Sequence, residues 1–505
     1  MFPLSRRTAQ PLPAGVLGRV VVALLGATLS GCVVGPDYHP PGAPVSPAYK
    51  ELKGWKIATP RDDIDRGAWW SIYHDQTLNG LEAQVDVSNQ NLAAAVAAFR
   101  QAAAIVQEAR AALFPTVDLL YNPTRTRIPP VRAITRVTLE TTATWDLDVW
   151  GRIQRLVESD VDLAQASAAD VANARLLAQA QLAVAYFNLR AADSLRTLLD
   201  RTIAEYQRTV TITENQYEQG TVARSDVITA QTQVKTTEAQ AINVGVQRAQ
   251  FEHAIAVLIG RPPAELAIRR AELGRSVPLV PPGVPSTLLE RRPDIAGAER
   301  RIAVQNALIG VAVAAYFPDI NLSGFYGWIG PQLFPVAVAN EAWQIAGTAT
   351  ETLVDGGLRR AQVAAAEAAY YEAVATYRQT VLTAFQQVED ALSTLRILAE
   401  QQRVQDEAVA LSRQAVEILL NEYRAGTVSF TAVVQQQAIQ LGNEQAALTV
   451  RQNRYLASVN LIQALGGGWD VFELPGYEAL RHWHSCVSVS AAIRGPISPE
   501  LPPCL

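Results

Sequence analysis

Residues 217–233 read YEQGTVARSDVITAQTQ, and residues 423–439 read YRAGTVSFTAVVQQQAI. Both open on Tyr, reach Gly-Thr-Val three residues later and continue into a Gln-rich apolar run. Tyr217 and Tyr423 stand 206 positions apart, as do Gly220 and Gly426. Each stretch punctuates a very long helical pattern. Neither Pro nor Gly interrupts Arg152 to Gln216, and neither interrupts Leu358 to Ala425. A helix of that length spans roughly 95–100 Å, more than one globular domain covers. Heptad-like apolar spacing along it points to coiled-coil packing. After each turn a second helical run returns. One covers about 225–259 and stops at Gly260-Arg-Pro-Pro, and the other stops at Gly466-Gly467-Gly468.

Upstream of these hairpins the chain also repeats itself. NQNLAAAVAAFRQAAAIVQEARAALFPTVDL (89–119) matches RRPDIAGAERRIAVQNALIGVAVAAYFPDINL (291–322). Phe114-Pro115 corresponds to Phe317-Pro318, 203 positions later. The first of these belongs to a helix expected over 78–114. The period then changes to two. In VTLETTATWDLDVW (137–150), Val137, Leu139, Ala143, Trp145, Leu147 and Val149 share one face, with Thr141 among them. Thr138, Glu140, Thr142, Thr144, Asp146 and Asp148 share the other, the mark of a strand with one apolar and one polar side. A shorter strand, TVDLLYN (116–122), precedes it, and matching patterns cover about 319–329 and 342–354. The offset grows from 203 to 206 inside the strand region, so the insertion lies there, where loops tolerate it. The chain is a tandem duplication of a strand hairpin followed by a long helical hairpin.

The totals agree with such an object. The 505 residues carry a formal net charge of -5, which offers no support for nucleic-acid binding. Of the three Cys, Cys486 and Cys504 could pair in an oxidising compartment or stand as unrelated thiols. No Cys-x-x-Cys signals zinc or redox chemistry. The scattered His, and the absence of His-Glu-x-x-His, Gly-x-Ser-x-Gly or Gly-x-x-x-x-Gly-Lys, argue against an enzyme. Neither metal nor cofactor is expected.

At the N-terminus, Arg6, Arg7 and Arg19 precede VVVALLGATL (20–29), too short to span a bilayer and suited to a secretory signal. LSGC (29–32) resembles the bacterial lipobox, which makes Cys32 the acylated first residue of the mature chain. The resemblance also gives Val33 a meaning, since an Asp at that position often marks inner-membrane retention. The expected organisation is a signal peptide over 1–31, an extended linker over 32–75, a first repeat over 76–265 and a Pro-rich connector over 266–286. A second repeat over 287–475 and an atypical, disordered tail over 476–505 complete it. HWHSC (482–486) in that tail holds conceivable metal ligands, with disorder the plainer reading.

Four amphipathic strands per chain cannot close a barrel, and open strands cannot sit in lipid. Three copies give twelve strands, with apolar rows facing lipid, Thr/Asp/Glu rows facing a lumen, and Trp145, Trp150, Trp328 and Trp343 suited to interfacial belts. The chain resembles the TolC-type outer-membrane efflux family, in its NodT-like lipoprotein branch. VGPDYHPP after the lipobox, WWSIYHDQTLNGL (69–81), DLDVWGRIQRL (146–156), RRPDI (291–295), AAYFPDINLSG (314–324), LVDGGLRRAQV (353–363) and the two Tyr-x-x-Gly-Thr turns carry the resemblance. It implies a mainly α homotrimer whose outer-membrane β-barrel continues into a periplasmic α-helical barrel. Such a trimer is the exit duct of a tripartite pump with a periplasmic adaptor and an inner-membrane transporter.

The resemblance further implies that Gly220, Thr221, Val222, Gly426, Thr427 and Val428 form adaptor-docking tips. Acidic residues about one turn before the tips narrow the family's entrance, and Glu214 and Glu417 lie there. At an offset of 206, Glu214 pairs with Leu420, so the aperture is expected to be partly apolar. Glu351 takes the place of lipid-side Trp145 and must sit near an interface. The competing reading is an adaptor or structural coiled-coil lipoprotein without a pore. An adaptor usually carries one helical hairpin, and the duplicated order argues against it.

Overall fold

The computed structural model describes residues 33–51, 68–278, 280, 291–331 and 340–481. The signal peptide, Cys32, linker residues 52–67, connector residues 281–286, and Cys486 and Cys504 lie outside the described residues.

The two repeats share one set of elements. In the first, α1 (Gln76–Ser88) and α2 (Gln90–Ala111) lead to β1 (Thr116–Thr126) and β2 (Ile134–Asp146). Then α3 (Arg152–Glu218) descends for 67 residues and α4 (Arg224–Leu258) returns for 35. In the second, α5 (Pro293–Ala314) precedes β3 (Asp319–Gly330) and β4 (Asn340–Thr350). The long hairpin of α6 (Leu358–Arg424) and α7 (Phe430–Ala464) follows. α5 repeats the 22 residues of α2, α6 the 67 of α3 and α7 the 35 of α4.

The helix expected over 78–114 is two helices. Asn89 is extended, and its side chain accepts the N–H of Leu92, capping α2. The same side chain donates to the carbonyl of Leu258 at 2.7 Å, while Ser88 donates to Ile259. One break thus starts a helix and satisfies orphan carbonyls at the end of another.

The strands form one antiparallel sheet in the order β1-β2-β3-β4. Thr116 faces Thr144 in the first hairpin, and Asp319 faces Thr350 in the second. The two registers coincide once β3 is shifted by 203 and β4 by 206. The three extra residues therefore lie between Gly330 and Asn340, beyond the paired strands. Below the sheet the long helices pack side by side in the order α4-α3-α7-α6. The main core lies around the middle of α3. There Tyr186 and Phe187 meet Tyr73 and Tyr455, with Tyr73 and Tyr455 each 4.7 Å ring to ring from Phe187. Tyr73 ends a short 3-10 turn, Trp69–Tyr73, whose two Trp are buried. The expected linker therefore gives way to packed structure before residue 75.

Both ends of the described chain are held. From Val33 to Glu51 the chain is irregular but tied down at several points. At the other end, α8 (Tyr477–Arg481) corrects the expected disordered tail over its first residues. Leu480 is fully buried against Ala103 and Val106 of α2 and Val157 and Val161 of α3. Gln107 donates to the Leu480 carbonyl at 2.9 Å.

Candidate functional site

The tips are built by backbone chemistry. Gly220 and Gly426 both have φ of 74°, a left-handed conformation that L side chains avoid. Nothing lies within 4 Å of a Cβ built at either, so conformation rather than crowding requires Gly. The next residue closes the helix end. The Thr221 N–H reaches the Gln216 carbonyl at 3.0 Å and its hydroxyl donates to the same oxygen at 2.8 Å. Thr427 does the same to Glu422, at 3.0 and 2.9 Å. The repeated Gly-Thr is thus a helix-ending device in which the side chain doubles the backbone bond.

Val222 and Val428 turn inward. With Leu419 and Leu420 they pack against buried Ala230, Tyr423, Phe430 and Val433. This cluster joins both hairpins, so the two tips of one chain stand together. Gly220, Thr221, Gly426 and Thr427 remain exposed at the end.

The residues expected at the aperture separate. Leu420 belongs to the tip cluster. Glu214 accepts from Gln231 of α4 at 2.9 Å, within its own hairpin. Glu417 is exposed on α6.

The sheet presents two unlike faces. Registered rows run Val117–Ala143–Gly324–Ile345, Leu119–Thr141–Tyr326–Trp343 and Tyr121–Leu139–Trp328–Glu341. Val117, Leu119, Tyr121, Trp343 and Ile345 are all exposed, so nothing among the described residues covers this face. The reverse face carries Asp118, Thr142, Thr144, Asn321, Ser323 and Gln344, with Leu120, Ile134, Phe325, Ile329, Ala342 and Ala346 as apolar exceptions. Trp145 donates to the Leu113 carbonyl at 3.0 Å, and Trp150 donates to Pro318 and stacks on Phe317. These two Trp mark the junction of sheet and helices. Trp328 pairs with Leu139, six residues up β2 from Trp145, or about 20 Å at strand rise. Two aromatic levels thus bracket the apolar rows of the sheet. Glu351 lies just below β4, bonded to Arg359 at 2.9 Å. Arg359 also holds Asp355 and covers the Tyr316 ring, so the carboxylate expected near an interface is neutralised at the junction.

The same junction holds the start of the described chain. The Val34 N–H donates to the Trp150 carbonyl at 3.1 Å, and Val33 lies against Gly151. Buried Arg155 donates to the carbonyls of Val34 and Gly35 and pairs with Asp37 at 2.9 Å. Asn306 holds the Pro36 carbonyl, and Glu389 accepts from the N–H groups of Lys50 and Glu51. Sequence reasoning did not single out Arg155 or Asp37, although both sit in stretches that carried the resemblance. Only the fold reveals that they meet. Among the described residues no cluster of ligands could hold a metal ion, and no helix is long and apolar enough to cross a membrane.

The outer membrane efflux protein pattern matches residues 83–261 and 284–467, one span per repeat. The chain belongs to that family. It is 29% identical over 464 residues to the toluene efflux pump outer membrane protein TtgC of Pseudomonas putida, covering 89% of this chain and 95% of the relative. It is 29% identical over 493 residues to nodulation protein T of Rhizobium leguminosarum bv. viciae, covering 95% and 99%. The solved outer-membrane channel OprN superposes with a TM-score of 0.80 at 29% identity, covering 87% of this chain and all of OprN. These relatives are efflux and channel proteins rather than enzymes. The protein is an outer-membrane efflux channel whose long helical hairpins extend into the periplasm.

Proposed function

We propose that three copies close into one exit duct. Twelve strands cross the outer membrane and the helical hairpins form a continuous periplasmic barrel. The observation that supports this most is the four-stranded sheet, whose apolar face is uncovered and whose two edges are free among the described residues. Backbone groups on open edges are not tolerated in lipid, and ring closure removes them. Acylated Cys32 anchors the chain in the outer membrane. The fixing of Val33 and Val34 at the sheet–helix junction supports this. The six Gly-Thr tips dock on a periplasmic adaptor, which connects the duct to an inner-membrane transporter. The duct does no chemistry; its Thr, Gln and Asp lining selects weakly.

Site-specific photocrosslinking from Thr221 and Thr427 in intact cells, read by mass spectrometry, tests the docking. Capture of a periplasmic adaptor is the expected result. Recovery of only self-trimers, at native expression, would overturn docking through these turns and leave a stand-alone pore.

A further inference from the structure

After α4 the chain crosses the hairpins as an irregular strap whose backbone is pinned at six points. The Ile268 N–H donates to Glu252 at 2.7 Å, and the Ile268 carbonyl accepts from Arg248. The Arg269 carbonyl accepts from Arg190 at 2.7 Å. Asp193 accepts the Ala271 N–H at 3.2 Å, and the Ser194 hydroxyl accepts that of Leu273 at 2.8 Å. Tyr455 donates to the Ser276 carbonyl at 2.8 Å. These side chains come from α3, α4 and α7, so the strap is fixed to both repeats.

The pins also pair with one another. Arg248 lies 2.8 Å from Asp193 and 3.1 Å from Glu252, and Arg190 lies 3.5 Å from Asp193. Two acids meet two bases, so the clamp adds no net charge. Burying such a group is costly unless its bonds are complete. What it secures is a fixed row of outward side chains. Ile268 and Leu273 are buried, while Arg269, Arg270 and Arg275 are exposed, as is Arg261 where the strap begins. None of these four Arg makes an ion pair among the described residues. Only Glu265 and Glu272 oppose them on the strap. Half-buried Arg451 and Arg454 of α7, beside Tyr455, extend the positive patch. It stands on a chain whose formal net charge is -5.

Depth and side narrow the partner. Asp193 lies 41 residues after Arg152 and 27 before Gly220. At helical rise the strap is about 60 Å below the sheet and about 40 Å above the tips. No lipid headgroup reaches that depth. Ile268 and Leu273 enter the same core as Tyr49 and Trp69. Tyr49 belongs to the segment that begins beside the acylated Cys32, and a chain tethered to lipid runs outside the duct. The Arg row therefore faces the periplasm rather than the lumen.

We infer that this belt binds the peptide carboxylates of peptidoglycan where the duct passes through the cell wall. Guanidinium forks match carboxylates in bidentate pairs, and a pinned strap presents them with little ordering cost. Peptidoglycan is the anionic polymer that helices reaching about 100 Å into the periplasm have to cross. The inference rests on the exit-duct reading above, which sets the belt outside, and adds a partner for it.

Sedimentation of the purified full-length channel, in detergent, with isolated protease-treated sacculi tests it. The wild-type channel should pellet with the sacculi, and less so as salt rises. Arg269→Glu, Arg270→Glu and Arg275→Glu together should lower the pelleted fraction by about tenfold or more. The backbone pins remain in that variant, and an unchanged melting temperature confirms its folding. The matching Arg→Lys triple keeps the charge and should retain part of the binding. Amidating the sacculus carboxylates should abolish it. A wild-type channel left in the supernatant overturns the inference, as does equal pelleting of the Glu variant or equal retention on amidated sacculi. Binding only to sacculi that still carry protein would make the partner a wall-bound protein and overturn it too. A native mass of one chain overturns the exit-duct reading instead, and sedimentation then still decides the belt.

Discussion

Arg201 of α3 meets Glu444 of α7 at 3.1 Å, joining the hairpin of the first repeat to that of the second. Glu444 is buried and also receives Arg413 of α6 at 2.5 Å. One carboxylate thus ties three helices together partway up the hairpins. Both arginines are half exposed, so solvent screens each pair. Glu444→Ala leaves two guanidinium groups facing each other and should loosen the hairpins by about 1–3 kcal/mol. The expected readouts are a lower trimer dissociation temperature and faster proteolysis of α6 and α7. An unchanged dissociation temperature would remove Glu444 from the set of ties.

At the tips, Gly220→Ala and Gly426→Ala force an L side chain into left-handed backbone, at about 1–2 kcal/mol each. Asn tolerates this conformation better, so Gly426→Asn should be milder than Gly426→Ala. Thermal unfolding of the purified channel checks the order. Since no neighbour crowds either position, a larger Ala effect on efflux than on stability would point to lost docking.

Glu82 of α1 is fully buried, and neither carboxylate oxygen finds a hydrogen-bond partner among the described residues. Burial, aided by the nearby Asp86 charge, pushes its pKa up to about 9. The folded state holds this proton where the unfolded chain has released it. Stability should therefore fall as pH rises from the ordinary carboxyl range to about 9, by about 1.4 kcal/mol per unit. Glu82→Gln should flatten that slope and raise the melting temperature at pH 8. A wild-type midpoint independent of pH between 6 and 9 would contradict this.

The two sheet faces should respond differently to charge. Ile345→Arg places a cation on the face assigned to lipid and should cost about 2–4 kcal/mol, seen as poor outer-membrane insertion. Thr142→Arg, on the opposite face, should insert normally and shift the conductance of reconstituted channels toward anions. A larger insertion defect for Thr142→Arg than for Ile345→Arg would mean that the faces are assigned the wrong way round.

Most of this architecture was legible because its signals are local. A change from period 3.6 to period 2 marks the strands, and Gly-Thr after 67 unbroken residues marks the tips. The break at Asn89 was hidden because the Ala-rich sequence after it favours helix regardless, and the cap is recognised only when Leu258 comes to meet it. The clamp of Arg155 on residues 34–37 joins positions more than a hundred residues apart, which no periodicity encodes. Val222, Val428 and Leu420 looked like surface or aperture residues because the cluster they join draws on both hairpins. The docking of Leu480 escaped for the same reason, since a five-residue helix has too little pattern to announce itself.

The matched lengths of the two hairpins make the protein a ruler cut twice. The long helices measure a fixed distance from the outer membrane, and both halves of the chain must report the same one. Removing a heptad from α3 and α4 alone would leave half of the tips short of a common plane. The same loss from α6 and α7 would restore a level ring at reduced depth. A lineage whose periplasm narrowed could follow it only by editing both repeats together. The stretch of sequence between Gly330 and Asn340, by contrast, has already changed length alone.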